Sequence, residues 1–209
     1  MKKLNAITIL LLCVATISLS SCFNSDNDDT SITAEKQKTY QTMISGTYSG
    51  MTRLYKYDSS ANSFVKTDST TNVVWRMNTD STITIANFPV SFFAEYINAT
   101  SAGSSELTSL KTALASASAQ TVKAFYCIPS SNYVTSTYIQ YVVTGIIFSL
   151  TYDGATHEVA IPVNYYNSLG QWATTSKFAY VSMVTGGLYL DKTSYSSYMS
   201  TTGITMDNK

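Results

Sequence analysis

The sequence has few of the residues on which most catalytic and metal sites depend. Its 209 residues include one histidine, His157, and three cysteines, Cys13, Cys22 and Cys127. A Ser-His-Asp or Cys-His arrangement therefore has one possible base, and a zinc site lacks its usual ligands. The chain also contains no glycine-rich phosphate-binding motif of the dinucleotide or P-loop type. We expect no catalytic residue, no metal and no cofactor.

Charged side chains are scarce as well. They make up 12% of the chain, as 13 basic and 13 acidic residues. Nucleic acid binding needs a basic surface that neutralises phosphates, so we expect no nucleic acid partner. The acidic residues fall mostly in predicted turns, where Asp is favoured for its hydrogen bonds to the backbone. No pair of them stands out as the two carboxylates of a glycosidase, although distant carboxylates can meet in a fold.

The first 21 residues have the organisation of an export signal. Met1-Lys2-Lys3 precedes an apolar run over residues 4–19, and small polar residues then lead to Cys22. The run is shorter than the about 20 apolar residues of a membrane-spanning helix. Residues 1–21 are therefore predicted to be a signal peptide that is not part of the fold.

The end of this segment, Leu19-Ser20-Ser21-Cys22, resembles a bacterial lipoprotein signal, in which Leu and two small residues precede the lipidated Cys. The resemblance implies cleavage before Cys22, a diacylglycerol thioether on its sulfur and an acyl chain, such as palmitate, on the new N-terminus. The alternative is an ordinary secretory signal followed by an incidental cysteine. Cleavage would leave residues 22–209 with 11 basic and 13 acidic residues, a net charge of −2. Cys127 would then be the single unmodified thiol, so no internal disulfide could form.

Residues 22–34 are predicted to be the lipidated cysteine and a flexible acidic tether. Asp26, Asp28 and Asp29 lie in it, and no aliphatic residue occurs before Ile32. Such a segment cannot bury enough apolar surface to order itself. Residues 25–29 also resemble the acidic export signal of surface-displayed lipoproteins of the Bacteroidota. This resemblance implies an outer-membrane lipoprotein that faces the cell exterior; a plain solvated spacer and a periplasm-facing protein are the alternatives.

Residues 35–209 are predicted to form one mainly β domain. Segments rich in Tyr, Val, Ile, Thr and Phe alternate with Asp, Asn, Ser and Gly, which is typical of antiparallel strands joined by short turns. We expect an antiparallel barrel or sandwich with one or two short helices inserted near residues 89–118. The predicted strands include residues 47–57, 64–67, 72–77, 82–86 and 177–184.

The start of this domain carries a further resemblance. Gly46, Tyr48 and Gly50, taken with the lipidation box and the tether, resemble the small uncharacterised lipoproteins of the Bacteroidota. Gly46-Thr47-Tyr48 is also similar to the first strand of lipocalin-like barrels, in which the family has Trp at the position of Tyr48. A barrel is the fold that this second resemblance implies.

The clearest hairpin signal is Asp153-Gly154, which predicts a two-residue turn with both residues at positive φ. This turn would place Leu150 opposite His157, Phe148 opposite Val159 and Ile146 opposite Ile161. His157 would then lie near a strand end in a structural or surface role. Cys127, in an apolar strand, is expected to be a buried and unreactive thiol.

Helical signals are confined to residues 89–118. Pro89 suits the first turn of a short helix over residues 90–97. Leu107, Leu110 and Leu114 then recur at the spacing of one helical face. We interpret this stripe as a helix packed on the sheet. The alternative, a membrane-surface helix, would be expected to carry Lys and Arg where this helix has Ser and Thr.

The aromatic residues are the one positive indication of function. The chain has 16 Tyr and two Trp. Aromatic rings stack on sugar faces or line pockets, whereas Tyr also fills half-buried strand positions. We expect a lipid-anchored, non-catalytic surface protein that binds a small molecule or glycan. A structural or adhesive subunit that acts by protein contact is the alternative, and an enzyme with a carboxylate-based site is third. The candidates in loop-like stretches are Tyr165, Tyr166, Trp172, Tyr195 and Tyr198.

Two tripeptides, Asp68-Ser69-Thr70 and Asp80-Ser81-Thr82, resemble the acceptor for O-linked glycans in exported proteins of the Bacteroidota. The resemblance implies a modification that would add mass to the exported protein. Neither the oligomeric state nor the identity of a ligand follows from the sequence.

Overall fold

The computed structural model describes residues 32–208 and shows a closed antiparallel β-barrel. The predicted signal peptide, Cys22 and most of the predicted tether lie outside these residues. The mainly β prediction is confirmed, and of its two forms the sheet adopts the barrel. The strands of the described part are β1 (Gly46–Asp58), β2 (Ser63–Met77), β3 (Thr82–Phe88), β4 (Gln120–Cys127), β5 (Tyr138–Tyr152), β6 (Ala155–Pro162), β7 (Leu169–Ala173), β8 (Ala179–Thr185), β9 (Tyr189–Leu190), β10 (Thr193–Ser194) and β11 (Thr202–Asp207).

Eight of these strands form the ring. Their order is β1, β2, β3, β4, β5, β7, β8 and β11, and β11 pairs with β1. The ring closes because β5, with 15 residues, is long enough to pair with two strands on one side. Its residues 138–141 pair with β7, and its residues 145–152 pair with β6. Strands β6, β9 and β10 therefore extend the sheet outside the ring.

The predicted hairpin between β5 and β6 is confirmed. Asp153 and Gly154 have φ values of 49° and 76°, as the two-residue turn requires. Leu150 faces His157, and the two pairs before it, Phe148 with Val159 and Ile146 with Ile161, have the predicted register. The turn chemistry therefore sets which face of this hairpin is buried.

The helical segments of the described residues include two that were expected within residues 89–118. These are a 3₁₀ helix over Val90–Tyr96 and a helix beginning after Ser104, whose hydroxyl accepts a hydrogen bond from the Leu107 amide. Leu107, Leu110 and Leu114 are fully buried, so this helix packs on the sheet as predicted. None of the described helices combines the length and the apolar composition of a membrane span. The α-helices are α1 (Ala34–Ile44), α2 (Ala99–Ala102) and α3 (Ser105–Ser116).

Helix α1 was not predicted, and it shifts the start of the fold to before residue 35. Ile32 is 5% exposed, and the Thr33 hydroxyl caps the helix by accepting a hydrogen bond from the Lys36 amide. The Gln41 side chain donates to the Ser81 hydroxyl in the β2–β3 turn, at 2.6 Å. Helix α1 therefore lies at the end of the barrel where β1 begins and β2 ends.

The opposite end of the barrel is covered by the helical insertion between β3 and β4. Phe93 of the 3₁₀ helix lies between Phe88, the last residue of β3, and Phe148 of β5. The ring centroids are 5.9 and 6.2 Å apart. All three rings are buried, so this stack joins the insertion to the barrel core.

Strand β2 differs from the prediction. Residues 64–67 and 72–77 were expected to be separate strands, but they belong to one strand that pairs with β1 through two register shifts. Only residues 74–77 of β2 also pair with β3. Among the described residues, β2 from 63 to 71 thus has a neighbouring strand on one side only.

The contact that completes the ring joins Tyr141 of β5 to Gly170 of β7. These two residues are directly opposite each other in the ladder. A Cβ at Gly170 would lie 1.9 Å from the ring of Tyr141, so the ring occupies the space that any other residue at 170 would need. The Tyr141 hydroxyl donates to the carbonyl of Tyr180 in β8, at 3.2 Å. One fully buried side chain therefore spans the three strands at which the barrel closes.

We expect Gly170→Ala to destabilise the barrel by about 3 kcal/mol or more. Overpacking a well-packed core costs about 1 to 3 kcal/mol, and here the added Cβ would overlap the ring of Tyr141. Urea unfolding of the purified protein measures this difference. Gly186→Ala is the matched control, because a Cβ at Gly186 meets no atom within 4 Å. An equal loss in both variants would contradict the role given to the Tyr141–Gly170 contact.

Candidate functional site

The aromatic residues that the sequence places in loop-like stretches do not share one environment. Tyr166 is 92% exposed, and its ring contacts the ring of Tyr165 at 5.5 Å. Trp172 instead lies in β7 and is 4% exposed, with the Lys177 ammonium 4.5 Å from its ring. Placing Trp172 in a loop was therefore wrong. Its side chain is part of the barrel core.

A pocket with a different set of residues lies at the end of the barrel that carries the helical insertion. It has a volume of about 360 Å³ and is bounded by the last turn of α3, the first residue of β4 and the last residues of β5. Gln120 and Tyr152 line it, and Gln120 Nε2 and Tyr152 Oη are both buried. Neither atom has a hydrogen-bond partner among residues 32–208. The remaining lining residues are Ala113, Ser116, Ala117, Ser118, Leu150 and Thr151.

Buried polar atoms without a partner are costly. Each costs about 1 to 3 kcal/mol when no hydrogen bond replaces the one lost to water. Six such side-chain atoms occur among the described residues, and two of them fall in this one pocket. Gln120 Nε2 is a donor, and Tyr152 Oη can donate or accept. Two side chains with buried, unpartnered polar atoms therefore border this one pocket.

Tyr152 is held in place through one face of its ring. Its ring stacks on the imidazole of His157, with centroids 4.2 Å apart. Burial raises the pKa of Tyr152 to about 12, and the negative charges of Asp191, Glu106 and Asp153 act in the same direction. The phenol is therefore protonated at neutral pH and can donate a hydrogen bond.

His157 in turn is held by Asp191. Its Nδ1 lies 2.7 Å from one carboxylate oxygen of Asp191, and the other oxygen accepts a hydrogen bond from the Glu158 amide at 2.8 Å. Asp191 stands in the turn between β9 and β10 with φ of 47°. This agrees with the structural role predicted for His157, and the imidazole also supports the ring of Tyr152.

Glu106 and Tyr195 complete the polar surroundings of the pocket. The Tyr195 hydroxyl donates to the Glu106 carboxylate, which raises the pKa of Tyr195. Glu106 lies in the first turn of α3, seven residues before Ala113 of the pocket, so both lie on the same side of the helix. One side of α3 thus carries a carboxylate about 10 Å along the helix from Ala113.

Four other carboxylates of the described residues form hydrogen bonds or an ion pair elsewhere, or line an open cleft. Asp58 accepts hydrogen bonds within its own turn, and Asp207 forms an ion pair with Arg53. Asp68 and Glu95 line one cleft of about 410 Å³, but both side chains are exposed. Both carboxylates therefore face solvent instead of an enclosed site. Among residues 32–208, no group of three possible metal ligands comes together.

Cys127 and the two tripeptides differ in how far they are exposed. Cys127 is 3% exposed, as expected for an inert thiol. Ser69 is exposed on β2, whereas Ser81 is half-buried and accepts the hydrogen bond from Gln41. Of the two predicted glycan acceptors, Asp68-Ser69-Thr70 is therefore the accessible one.

Sequence reasoning missed Gln120 and Tyr152. Tyr152 directly precedes the Asp153-Gly154 turn, so its position at a strand end was available from the hairpin prediction. Gln120 carries no local signal, because it meets Tyr152 only when β4 and β5 pair.

Comparison with known proteins gives one family. The family described as a domain of unknown function (DUF4840) matches residues 43–190, which is more than half of the chain. No curated protein and no solved structure matches the chain.

Asp191→Asn is expected to lower stability at pH 5.5 by less than about 1 kcal/mol, because the pair is partly exposed. Burial acts to raise the pKa of Asp191, but the Glu158 amide and His157 outweigh it and hold this pKa below its ordinary value. Stability from a lowered folded-state pKa is present above the unfolded-state value of about 4 and is lost as the pH falls through the folded-state value. Urea unfolding between pH 5.5 and 3 should show that the stability difference between Asp191→Asn and the parent protein shrinks as the pH falls.

The control is Asp153→Asn, which removes a carboxylate from the adjacent turn without removing the pair with His157. It measures how far the loss of a nearby carboxylate alone changes the free energy of unfolding over the same pH range. A stability difference between Asp191→Asn and the parent protein that grows as the pH falls would contradict the lowered pKa of Asp191.

Proposed function

Since the chain belongs to the DUF4840 family, a domain of unknown function, we propose a function from the structure of the chain itself. The protein is a lipid-anchored, non-catalytic cell-surface protein that binds a small molecule or a glycan unit. Its binding site is the pocket at the α3 end of the barrel. The observation that carries this proposal is a pocket of about 360 Å³ bordered by Gln120 and Tyr152, two side chains whose Nε2 and Oη atoms are buried without a partner among residues 32–208.

The pocket has the features of a binding site. Ligand pockets are about 300 to 1,000 Å³ and combine apolar walls with a few placed polar groups. This one has about 360 Å³, with Leu150 and Ala113 beside the two polar side chains. Tyr152 is fixed by His157 and Asp191, so little side-chain entropy is lost when a ligand binds.

The site supports binding more than catalysis. The single histidine has one ring nitrogen engaged by Asp191, and its face is covered by Tyr152. Tyr152 keeps its proton at neutral pH because its pKa is about 12. Tyr152 is therefore not poised to take a proton from a substrate at neutral pH.

Variants of the pocket test the proposal. Tyr152→Phe and Gln120→Leu each remove one polar atom and keep most of the side-chain volume. A ligand would first be found by glycan-array or calorimetric screening. Each variant is expected to lower the affinity for this ligand about tenfold, which corresponds to the loss of one hydrogen bond of about 1.4 kcal/mol. Each should leave the free energy of unfolding unchanged or slightly higher, because an unpaired buried polar atom has been removed.

The control is Tyr166→Ala, which changes an aromatic residue outside the pocket that is 92% exposed. It should leave affinity unchanged. Loss of affinity in Tyr166→Ala, with no loss in the two pocket variants, would assign binding to the aromatic surface and count against the pocket. A clear loss of stability in Tyr152→Phe would mean that its hydroxyl serves the fold.

The proposed anchor is Cys22. Its support is the sequence Leu19-Ser20-Ser21-Cys22 and the acidic residues that follow. Ten peptide units separate Cys22 from Ile32, the first described residue, and they span at most about 35 Å. The chain then enters α1, which lies at the end of the barrel opposite the pocket. An anchor before α1 leaves the pocket accessible to solutes.

Cys22→Ser is expected to move the protein from the membrane fraction to the soluble fraction, because the thioether cannot form on the serine hydroxyl. Cell fractionation with intact-mass measurement checks this, and the parent protein should carry the mass of a diacylglycerol and an acyl chain. Added protease should degrade the parent protein on intact cells if it faces the exterior. Protection from protease would favour the periplasm-facing alternative.

Cys127→Ser is the control for this experiment, since Cys127 is buried in the barrel and is not expected to be acylated. It should remain in the membrane fraction. An unmodified mass at Cys22 in the parent protein would contradict lipid anchoring.

The second candidate, a structural or adhesive subunit, is favoured by the open side of β2. Residues 63–71 have one neighbouring strand among the described residues, and Phe64 and Val65 on this segment are 40% and 49% exposed. Open strand edges accept additional strands. A two-fold pairing of two copies centred on Thr67 would place Lys66 opposite Asp68 of the second copy.

If this candidate holds, native extracts contain dimers or larger assemblies that Lys66→Asp disrupts, because it places like charges opposite each other. The double variant with Lys66→Asp and Asp68→Lys should restore them. Size-exclusion chromatography with light scattering measures the outcome. A strictly monomeric parent protein would rule this candidate out.

A further inference from the structure

We propose that the open edge of β2 and the cleft beside it form a docking site for an extended, basic peptide segment of a partner protein. The site comprises residues 63–68 of β2 and the 3₁₀ helix over Val90–Tyr96, which faces them across the cleft of about 410 Å³. This inference goes beyond the function proposed above, because the pocket bordered by Gln120 and Tyr152 takes no part in it.

The edge of β2 is open because β3 is short. Strand β3 pairs with residues 74–77 of β2, and after Phe88 the chain leaves the sheet for the 3₁₀ helix. Residues 63–66 pair with β1 on one side, and no strand of the described part lies on their other side. Their backbone groups that point away from β1 form no hydrogen bond within residues 32–208. An added strand can therefore pair with them.

Two apolar side chains beside this edge are exposed. Phe64 is 40% exposed and Val65 is 49% exposed. Successive side chains of a strand point to opposite faces, so an added strand would find one apolar neighbour on each face. The ring of Tyr57 packs edge-on against Phe64, with centroids 5.3 Å apart, and so holds it in place. The partner segment is therefore expected to carry apolar side chains where it passes Phe64 and Val65.

A β-bulge turns the next two residues of β2 into the cleft. Leu54 of β1 pairs with Asp68, whereas Tyr55 pairs with Lys66, so Thr67 is an extra residue in β2. The Thr67 hydroxyl donates to the carbonyl of Leu54, at 3.2 Å. Leu54, Thr67 and Asp68 all line the cleft, and Lys66 does not. The bulge thus re-aims the carboxylate toward the cleft and leaves the lysine of the same strand outside it.

The cleft combines negative charge with apolar walls. Asp68 from β2 and Glu95 from the 3₁₀ helix both line it and are exposed. Its lining includes no Lys, Arg or His, and within the described part of the chain neither carboxylate forms an ion pair. Phe92 and Ala94 supply apolar surface between them. A Lys or Arg side chain matches this arrangement, because its stem is apolar, its head is charged and a cation is attracted to an aromatic face.

A separate peptide balances the charge of the cleft better than a second copy of the chain does. In a two-fold pairing of two copies, each cleft would gain one Lys66 against two carboxylates, those of Asp68 and Glu95. A peptide with two basic residues supplies one cation for each carboxylate. We therefore assign the site to a partner segment in which apolar residues are accompanied by two Lys or Arg.

Matched peptides test the inference. The probes are fluorescently labelled heptapeptides of alternating Val and Thr, in which each possible pair of Val is replaced by Lys, and matched sets carry Gln or Glu at the same positions. Binding to the purified full-length protein is followed by fluorescence anisotropy and by NMR shifts of the backbone amides of residues 63–66. At the best pair of positions, the Lys peptide is expected to bind about tenfold more tightly than the Gln peptide, as two ion pairs exposed to water would give. The Glu peptide should bind most weakly, and added salt should narrow these differences.

N-methylation of the bound peptide separates strand pairing from attraction by charge alone. Alternate amides of an added strand point toward β2 and away from it. Methylation of one alternate set should therefore abolish binding, and methylation of the other set should leave it nearly unchanged. Equal affinity for both methylated peptides would show that the cation binds without strand pairing and would overturn the inference.

The variants Asp68→Asn and Glu95→Gln test the two carboxylates. The Asn oxygen can still accept the hydrogen bond that Asp68 accepts from the Ser69 amide, so the loop of charge is changed and the local structure is kept. Each variant should lower the affinity of the Lys peptide about threefold, and the double variant should remove its advantage over the Gln peptide. Glu35→Gln is the matched control, because Glu35 is exposed on α1 at the opposite end of the barrel. It should leave the affinity unchanged.

The remaining outcomes are distinct from those of the pocket experiment. Gln or Glu peptides that bind as tightly as the Lys peptide overturn the inference. Absence of binding by all peptides overturns it as well, and dimers seen by light scattering in that case would assign the edge to a second copy. Neither result bears on Tyr152→Phe and Gln120→Leu, whose effect on the ligand of the pocket is measured separately.

Discussion

The closed barrel depends on one contact, the ring of Tyr141 lying over Gly170. A sheet of antiparallel strands can remain open, with unpaired edges on both sides, and closure requires two distant strands to meet in register. Here β5 and β7 meet over four residue pairs, and Tyr141 reaches past Gly170 to the backbone of Tyr180. The fully buried side chains of the interior, with Trp75 and Tyr141 the largest of them, are enclosed only once this closure exists.

The same closure positions the pocket. Because the first part of β5 pairs with β7, its second part is free to pair with β6 and to extend to Tyr152 at the end of the barrel. Helix α3 covers this end and leads directly into β4, which begins at Gln120. The β9–β10 turn then brings Asp191 to His157, and His157 supports Tyr152. Barrel closure and the geometry of the pocket are therefore consequences of the length of one strand.

Local patterns in the sequence were reliable where neighbouring residues decide the conformation. The Asp153-Gly154 turn predicted the register of its hairpin, and the spacing of Leu107, Leu110 and Leu114 predicted the buried face of α3. The failures have a common cause. Helix α1 has a weakly apolar face, and Gln37 and Gln41 are buried only because the barrel end accepts them. Trp172 resembled a loop residue because the strand around it is only five residues long.

The sequence by itself determined the turn types, the alternation of buried and exposed strand positions and the helical insertion, because each depends on residues a few positions apart. It also carries the predicted lipidation box, which is a contiguous signal. Tertiary structure alone decided that the sheet closes, which aromatic residues enter the core and where a ligand can bind. Gln120, Tyr152 and Asp191 are 32 and 39 positions apart in sequence. Only strand pairing and helix packing bring such residues to one place, and no local pattern encodes that meeting.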